Sequence, residues 1–119
     1  MDNQLYNYRA FVTGVYDGDS ITVDIDLGFN NWMKNQKVRL YGINTPEIRG
    51  EERPDGLIAR DRLRELILDK EIIITSYKDK SGKYGRWLAT VFLKEYDVFV
   101  NINNLLLAEG LAEVYGYGA

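Results

Sequence analysis

At 119 residues the chain has the length of one domain with a single core, and its 45% apolar and 28% charged residues suit a folded globular protein. It contains no cysteine and no histidine, which excludes disulfides, thiolate or imidazole metal sites, the serine–histidine triad and the commonest general base. A formal net charge of −3 argues against a general binder of polyanions, so attraction for one would need a local basic patch or a bound cation.

In chain order, the start Met1-Asp2-Asn3-Gln4 lacks the basic and apolar stretches of a secretory signal. The chain as given is expected in the cytoplasm, or outside the cell if it is a mature fragment. No run of 18 apolar residues predicts a membrane span. Tyr8 to Tyr16 is rich in aromatic and β-branched residues and predicts a strand; Asp17-Gly18-Asp19 is a turn signal. Ile21, Val23, Ile25 and Leu27 alternate with Thr22, Asp24 and Asp26, the period of a half-buried strand. The stretch from Asp26 to Gln36, carrying Phe29 and Trp32, reads as a polar loop. Lys37 to Ile43 predicts a third strand, ended by Pro46.

Ile48 to Asp55 is charged and turn-rich and reads as a mobile loop. Ala59, Leu63, Leu66 and Ile67 recur at helical spacing, with Arg60, Arg62, Arg64 and Glu65 expected on the outer face. Glu71 to Tyr77 predicts a buried strand, Asp79 to Gly82 a turn, and Arg86 to Leu93 a further strand. Glu95-Tyr96-Asp97 turns into the short strand Val98 to Val100. A second helix over roughly Asn103 to Glu109 stops at Gly110, a good helix terminator. Three strands, a helix, two strands and a helix are similar in order to a Greek-key OB barrel, a fold whose strand face and loops bind oligonucleotides. The expected class is mainly β with α, as one domain over residues 1–119.

Candidate chemistry sits in four places, each with an ordinary alternative. Asp17-Gly18-Asp19-Ser20 sets two carboxylates on a turn, a donor type that suits Ca²⁺ or Mg²⁺, yet Asp-Gly turns are also plain hairpin connectors. Arg39 lies within a strand, where most arginines face solvent. Glu47 follows Thr45-Pro46 and reads equally as surface. Arg86 opens a strand after Lys83-Tyr84-Gly85 and reads equally as a hairpin flank. Arg60, Arg62 and Arg64 are interspersed with Asp61, Glu65 and Asp69, a solvated helix face rather than a basic patch; Arg49 and Arg53 are offset by Glu51 and Glu52, although a flexible loop beside the site could still touch substrate.

Taken together, Val38-Arg39-Leu40, Asn44 and Thr45-Pro46-Glu47, preceded by Asp17-Gly18-Asp19 and followed by Lys83-Tyr84-Gly85-Arg86, resemble the signature of the staphylococcal nuclease (thermonuclease) family. The similarity runs from about Arg9 to Val114 and includes the helix from near Gly56 and Gly110-Leu111-Ala112. It implies a five-stranded OB-type barrel with two helices and Ca²⁺-dependent cleavage of DNA and/or RNA, another divalent ion being the alternative. It implies catalytic roles for Arg39 and Arg86 as phosphate-binding arginines and Glu47 as general base. Asp19, Asn44 and the Thr45 carbonyl match the metal ligands, and Asp17 a carboxylate just beyond them. Lys83 and Tyr84 match residues beside the nucleotide, and Tyr115 and Tyr117 fall near its stacking tyrosines.

Two departures from the family pattern carry expectations. Asn44 stands where an aspartate is usual, so Asp19 would be the one anionic protein ligand and metal binding weaker. The chain stops at Tyr115-Gly116-Tyr117-Gly118-Ala119 where better-known members continue into a third helix, so the barrel is shortened and apolar surface is expected to lie open or be covered by weak self-association of an otherwise monomeric chain. The competing function is a non-catalytic OB-type module for nucleic acid or protein that has lost strong metal binding.

Overall fold

The computed structural model describes residues 6–82 and 86–116, with backbone alone from 78 to 82. Strand β1 (Asn7–Asp17) pairs antiparallel with β2 (Ser20–Gly28), and β2 with β3 (Asn31–Leu40). The other side of β1 pairs with β5 (Glu71–Gly82), which pairs with β6 (Arg86–Glu95). A parallel pairing of β3 with β6, through Val38 with Trp87, Arg39 with Leu88 and Leu40 with Ala89, closes the five strands into a barrel. The fold is therefore an OB-like α+β barrel with two helices, as the order of elements suggests.

Alternation decides which residues fill it. Val12, Ile21, Val23, Val38, Leu40, Ile72, Ile74, Ala89 and Val91 point inward and are almost wholly buried. Helix α1 (Arg53–Ile67) lays Ala59, Leu63, Leu66 and Ile67 on this core against β1. A short strand β7 (Val98–Asn101) leads into α2 (Ile102–Ala108), which buries Ile102 and Leu106. The Asn101 side chain accepts the Asn104 N–H at 3.0 Å and caps this helix. Gly110, at φ +75°, ends it, with the Leu111 N–H reaching back to Leu106 O at 3.0 Å. No helix among the described residues is long and apolar enough to cross a membrane.

Four local expectations give way to tertiary structure. The polar loop predicted for Asp26 to Gln36 is the end of β2, a turn at Phe29 and Asn30, and the first half of β3. Gly28, Phe29, Asn30 and Asn35 all take positive φ, and Asp26 and Asp24 accept the Gly28 and Asn35 N–H groups. Asparagine and glycine thus serve a hairpin with bulges, and pairing with β2 supplies the order that the apolar pattern lacks. The third strand stops at Leu40, because Tyr41-Gly42 turns with Gly42 at φ +79°. Ile43 and Asn44 then form β4, paired with β8 (Glu113–Val114). The predicted mobile loop is a 3₁₀ turn over Gly50–Glu52 and the first turn of α1, with Pro54 at the helix start where a missing N–H is harmless. Strand β5 runs on through Gly82 instead of turning at Asp79. Arg64 is exposed on the outer face of α1, as its spacing predicts, and its guanidinium also donates to Val15 O at 3.1 and 3.3 Å, tying α1 to β1.

Near the end of the described residues Glu113 and Val114 pair with β4, and the Tyr115 N–H donates to Gly42 O at 2.8 Å. Val98, Phe99 and Val114 remain exposed.

Asn103 is 3% exposed and joins three parts of the barrel. Its Oδ1 accepts the Val91 N–H at 3.0 Å, while Nδ2 donates to Tyr41 O at 2.9 Å and Ala89 O at 3.3 Å. Removing one partner of a buried hydrogen bond leaves the other desolvated and unpaired. Asn103→Ala should therefore lower unfolding free energy by about 2–4 kcal/mol, read from the urea midpoint. A midpoint equal to wild type would mean that α2 is held by its apolar contacts alone.

Candidate functional site

The turn between β1 and β2 is built for proximity. A Cβ on Gly18 would lie 2.8 Å from Ala59 Cβ and from both Cγ2 and Oγ1 of Thr45. The glycine is thus required by space: helix α1 and the segment after β4 close directly onto the turn. A Cβ on Gly56 would similarly meet Glu47 O at 2.1 Å, so the start of α1 is seated on the Pro46–Glu47 backbone. These two contacts carry residues 45–47 to the carboxylates of residues 17–19.

There Asp19, 6% exposed, is the hub. Its Oδ2 accepts the Thr45 N–H at 3.0 Å and lies 3.6 Å from Arg39 Nη2. Its Oδ1 accepts the Ser20 hydroxyl at 3.3 Å, and Ser20 Oγ in turn accepts from Arg86 Nη1 at 3.1 Å. The same Arg39 Nη2 donates to Asn44 Oδ1 at 3.1 Å. Arg39 is itself buried, and the Tyr115 ring lies 4.9 Å from its Cζ, a cation–π distance. Asp17 lies alongside, its Oδ1 accepting the Asp19 N–H at 3.1 Å. Glu47 is exposed and borders the groove, and its backbone N–H donates to Glu52 Oε1 at 2.8 Å.

These side chains line one open groove of about 1010 Å³ across the outer faces of β1, β2, β3 and β6. Asp17, Asp19, Arg39, Asn44, Glu47, Arg86 and Tyr115 all border it, and Thr45 is buried just behind. Lys83, Tyr84 and Tyr117 lie outside the described residues. Two groove residues given no role from sequence are Ser20, which bridges Arg86 to Asp19, and Tyr16; Arg49, on the loop expected to reach substrate, also borders the groove. Ser20 shares the polar parity of Thr22 on β2, a signal that places it on this face, whereas Tyr16 has the parity of the buried Ala10 and Val12 and is turned outward only by the register shift between Val12 and Gly14.

Whether the groove suits a divalent cation is a question of donors. Among the described residues, no cluster of three or more carboxylates forms that could hold a metal. A hard cation would rely on the Asp19 carboxylate, the Asn44 amide oxygen and the Thr45 carbonyl, all oxygen donors of the type calcium accepts. Two of these oxygens already converge on one positive centre, Arg39 Nη2. The buried Thr45 Oγ1, without a hydrogen-bond partner among the described residues, adds an unsatisfied oxygen beside them. The donor set fits such an ion, with fewer negative charges than a strong site would have.

Burial, then a shared hydrogen bond and charge repulsion with Asp19, pushes the Asp17 carboxyl up to about 7. The folded chain therefore holds a proton more tightly than the unfolded chain, whose carboxyl titrates near 3.8. Linkage makes that contribution complete below about 3.8 and lost as pH rises through about 7. In a chelator, the urea midpoint should fall between these two values, and Asp17→Asn should flatten the fall. Parallel profiles for variant and wild type would assign the slope to another group.

Sequence comparison places this groove among known proteins. The family of staphylococcal nuclease homologues matches residues 37–119. The thermonuclease of Staphylococcus hyicus is 33% identical over 109 residues, covering 89% of this chain and 59% of that protein. An uncharacterised protein of Methanocaldococcus jannaschii is 29% identical over 130 residues, covering 92% of this chain and 60% of that protein. The chain thus spans about three fifths of the length of these curated relatives. With the family match running from the end of β3 through Arg39, Asn44, Thr45, Glu47 and Arg86, the chain belongs to the staphylococcal nuclease homologues, a nuclease-type family.

Proposed function

We propose that residues 1–119 act as one nuclease domain, hydrolysing phosphodiester bonds of DNA, RNA or both with the help of Ca²⁺. The observation that carries this reading is the meeting of two arginines from opposite sides of the barrel closure on one carboxylate: Arg39 directly at 3.6 Å, Arg86 through Ser20. Such a pair of guanidiniums beside a hard-donor set suits a reaction in which negative charge accumulates on phosphate oxygens.

In that reaction Arg39 and Arg86 each present a planar fork of N–H donors to the non-bridging oxygens. Donors and charge set in place before the five-coordinate state forms stabilise it more than the ground state. Tyr115 holds the Arg39 guanidinium from its face, and Asn44 and Asp19 hold one edge, which limits the orientations that Arg39 can take. Glu47, exposed at the groove edge, takes the proton from the attacking water in the role that histidine fills elsewhere. Water is the nucleophile and no covalent enzyme intermediate forms. Asp19, Asn44 and the Thr45 carbonyl would hold a divalent cation, which when bound would add charge neutralisation at the phosphate and a lowered pKa for water. Lys83 and Tyr84, and with Tyr115 the Tyr117 ring, are assigned to the nucleotide by family likeness.

A second reading has its own support. Asn44 Oδ1 and Asp19 Oδ2 are both engaged by Arg39, so the chain can satisfy these oxygens without a cation and serve as a module that binds nucleic acid or protein and leaves it intact. The two readings part on cleavage. Single-stranded DNA and RNA should be degraded with Ca²⁺ and spared with a chelator. Arg39→Ala, Arg86→Ala and Glu47→Gln should each lower kcat by about 10²–10³-fold, the usual cost of losing one charge-stabilising or proton-accepting group. Asn44→Asp should tighten Ca²⁺ binding measured by calorimetry. Intact substrate under every metal tested, or wild-type rates from the variants, would leave the binding module as the better description.

A further inference from the structure

The groove carries a tyrosine–arginine pair that the proposed reaction does not use. Tyr16 is 57% exposed at the outer face of β1, and Arg49 Nη2 lies 3.5 Å from its hydroxyl. Both border the groove, on the same side as Glu47. Arg49 enters no ion pair among the described residues, although the chain carries more acidic than basic groups. A large aromatic ring left half in water, with an arginine beside it, is an arrangement that stacks a base and meets the adjoining phosphate.

Geometry separates this pair from the reacting centre. Tyr115 lies over Arg39 at the β3 edge of the groove, and Tyr16 stands on β1, two strands away. Neighbouring strands are about 4.8 Å apart, so the backbone of Tyr16 stands about 10 Å across the sheet from the strand that carries Arg39. Between them the floor is low. Gly14, Ser20 and Thr22 are small, and a Cβ on Gly14 would meet nothing closer than Thr22 at 3.8 Å. Lys37 continues the floor in register with Thr22. Among the described lining residues, Lys37, Arg39, Arg49 and Arg86 face Asp17, Asp19 and Glu47. In a chain of net charge −3, cations therefore outnumber carboxylates along this one track.

We infer that Tyr16 and Arg49 form a further nucleotide subsite of the groove, where Tyr16 stacks a base of a single-stranded polynucleotide one step beyond the scissile linkage and Arg49 meets its phosphate. The inference rests on the nuclease reading for the position of that linkage, but not for the binding itself. A base can stack here only if its face is free, so the ligand is single-stranded; DNA and RNA share the chemistry the pair recognises.

The test measures binding of fluorescein-labelled oligodeoxythymidylates and oligouridylates, from two to six nucleotides, by anisotropy in chelator at low salt. Wild type should bind longer oligomers more tightly. Tyr16→Ala and Arg49→Ala should each weaken hexanucleotide binding about tenfold while leaving the dinucleotide unchanged, and Tyr16→Phe should bind like wild type. An equal loss on short and long oligomers, unchanged affinity in both alanine variants, or no binding by wild type would overturn the subsite. A parallel digestion with Ca²⁺ separates the two ideas. Length-dependent binding through Tyr16 without cleavage keeps the subsite and removes the nuclease; cleavage with an unaltered length dependence in Tyr16→Ala does the reverse. The deoxy and ribo series show whether the subsite prefers either sugar.

Discussion

The candidate site depends on the parallel closure of β3 onto β6. Without the pairing of Arg39 with Leu88, the barrel would be an open sheet and Arg86 would lie far from the Asp17–Asp19 turn. Parallel neighbours cannot be joined by a short hairpin, so the closure is reached only after α1 and β5 have been laid between them. Its strength comes from the interior: Val38, Leu40, Ala89 and Val91 are all fully or almost fully buried at the seam. Apolar packing on the inner face thereby fixes the register of polar groups on the outer one, because a slip of one residue would turn Arg39 into the core.

On the outer face the difficulty is opposite, since charges are gathered where water is scarce. Arg39 and Asp19 have side chains only 10% and 9% exposed. Two such ions are tolerated because each is held by several partners: Asp19 by Thr45 N–H and Ser20 Oγ, Arg39 by Asn44 and the Tyr115 ring. Asp17 resolves the crowding in another way, by favouring its neutral form. An arginine shared between two oxygens, one of them on a carboxylate that has a second carboxyl group alongside, is an electrostatic environment that a phosphate or a cation would alter strongly. The surface ion pair between Arg62 and Glu109, by contrast, links α1 to the end of α2 far from this chemistry; its mutual hydrogen bonds raise the one group and lower the other.

Backbone contacts do the remaining positioning. Gly18 and Gly56 are sites where helix, turn and the Thr45–Glu47 segment touch without side chains between them, and this brings Glu47 and Thr45 to the groove. Asn103 acts similarly at the opposite side, where its amide joins α2, β6 and the carbonyl of Tyr41, whose ring stacks on Tyr77 at 4.0 Å. None of these contacts has a local signature. A glycine in a turn and an asparagine at a helix start are commonplace in any chain, and their importance arises from what approaches them in space.

Much was legible in one dimension. The period-2 runs of Ile21, Val23 and Ile25, the helical spacing of Ala59, Leu63, Leu66 and Ile67, and the Gly110 stop each encode a local preference that the core then rewards, so strands, helices and their order follow from the sequence itself. The absence of histidine and cysteine and the ordered recurrence of Asp19, Arg39, Glu47 and Arg86 were equally visible there. What only the tertiary structure decided is how these pieces meet: that Asp26 to Gln36 pairs as a hairpin, that the exposed Arg64 reaches Val15 O, that Glu113–Val114 pairs with β4, and that Tyr115 lies over Arg39 while Tyr16 lies near Arg49. The physical reason is that hydrogen bonds, ion pairs and ring contacts between distant residues depend on closure of the barrel, whereas periodicity and turn chemistry depend only on neighbours along the chain.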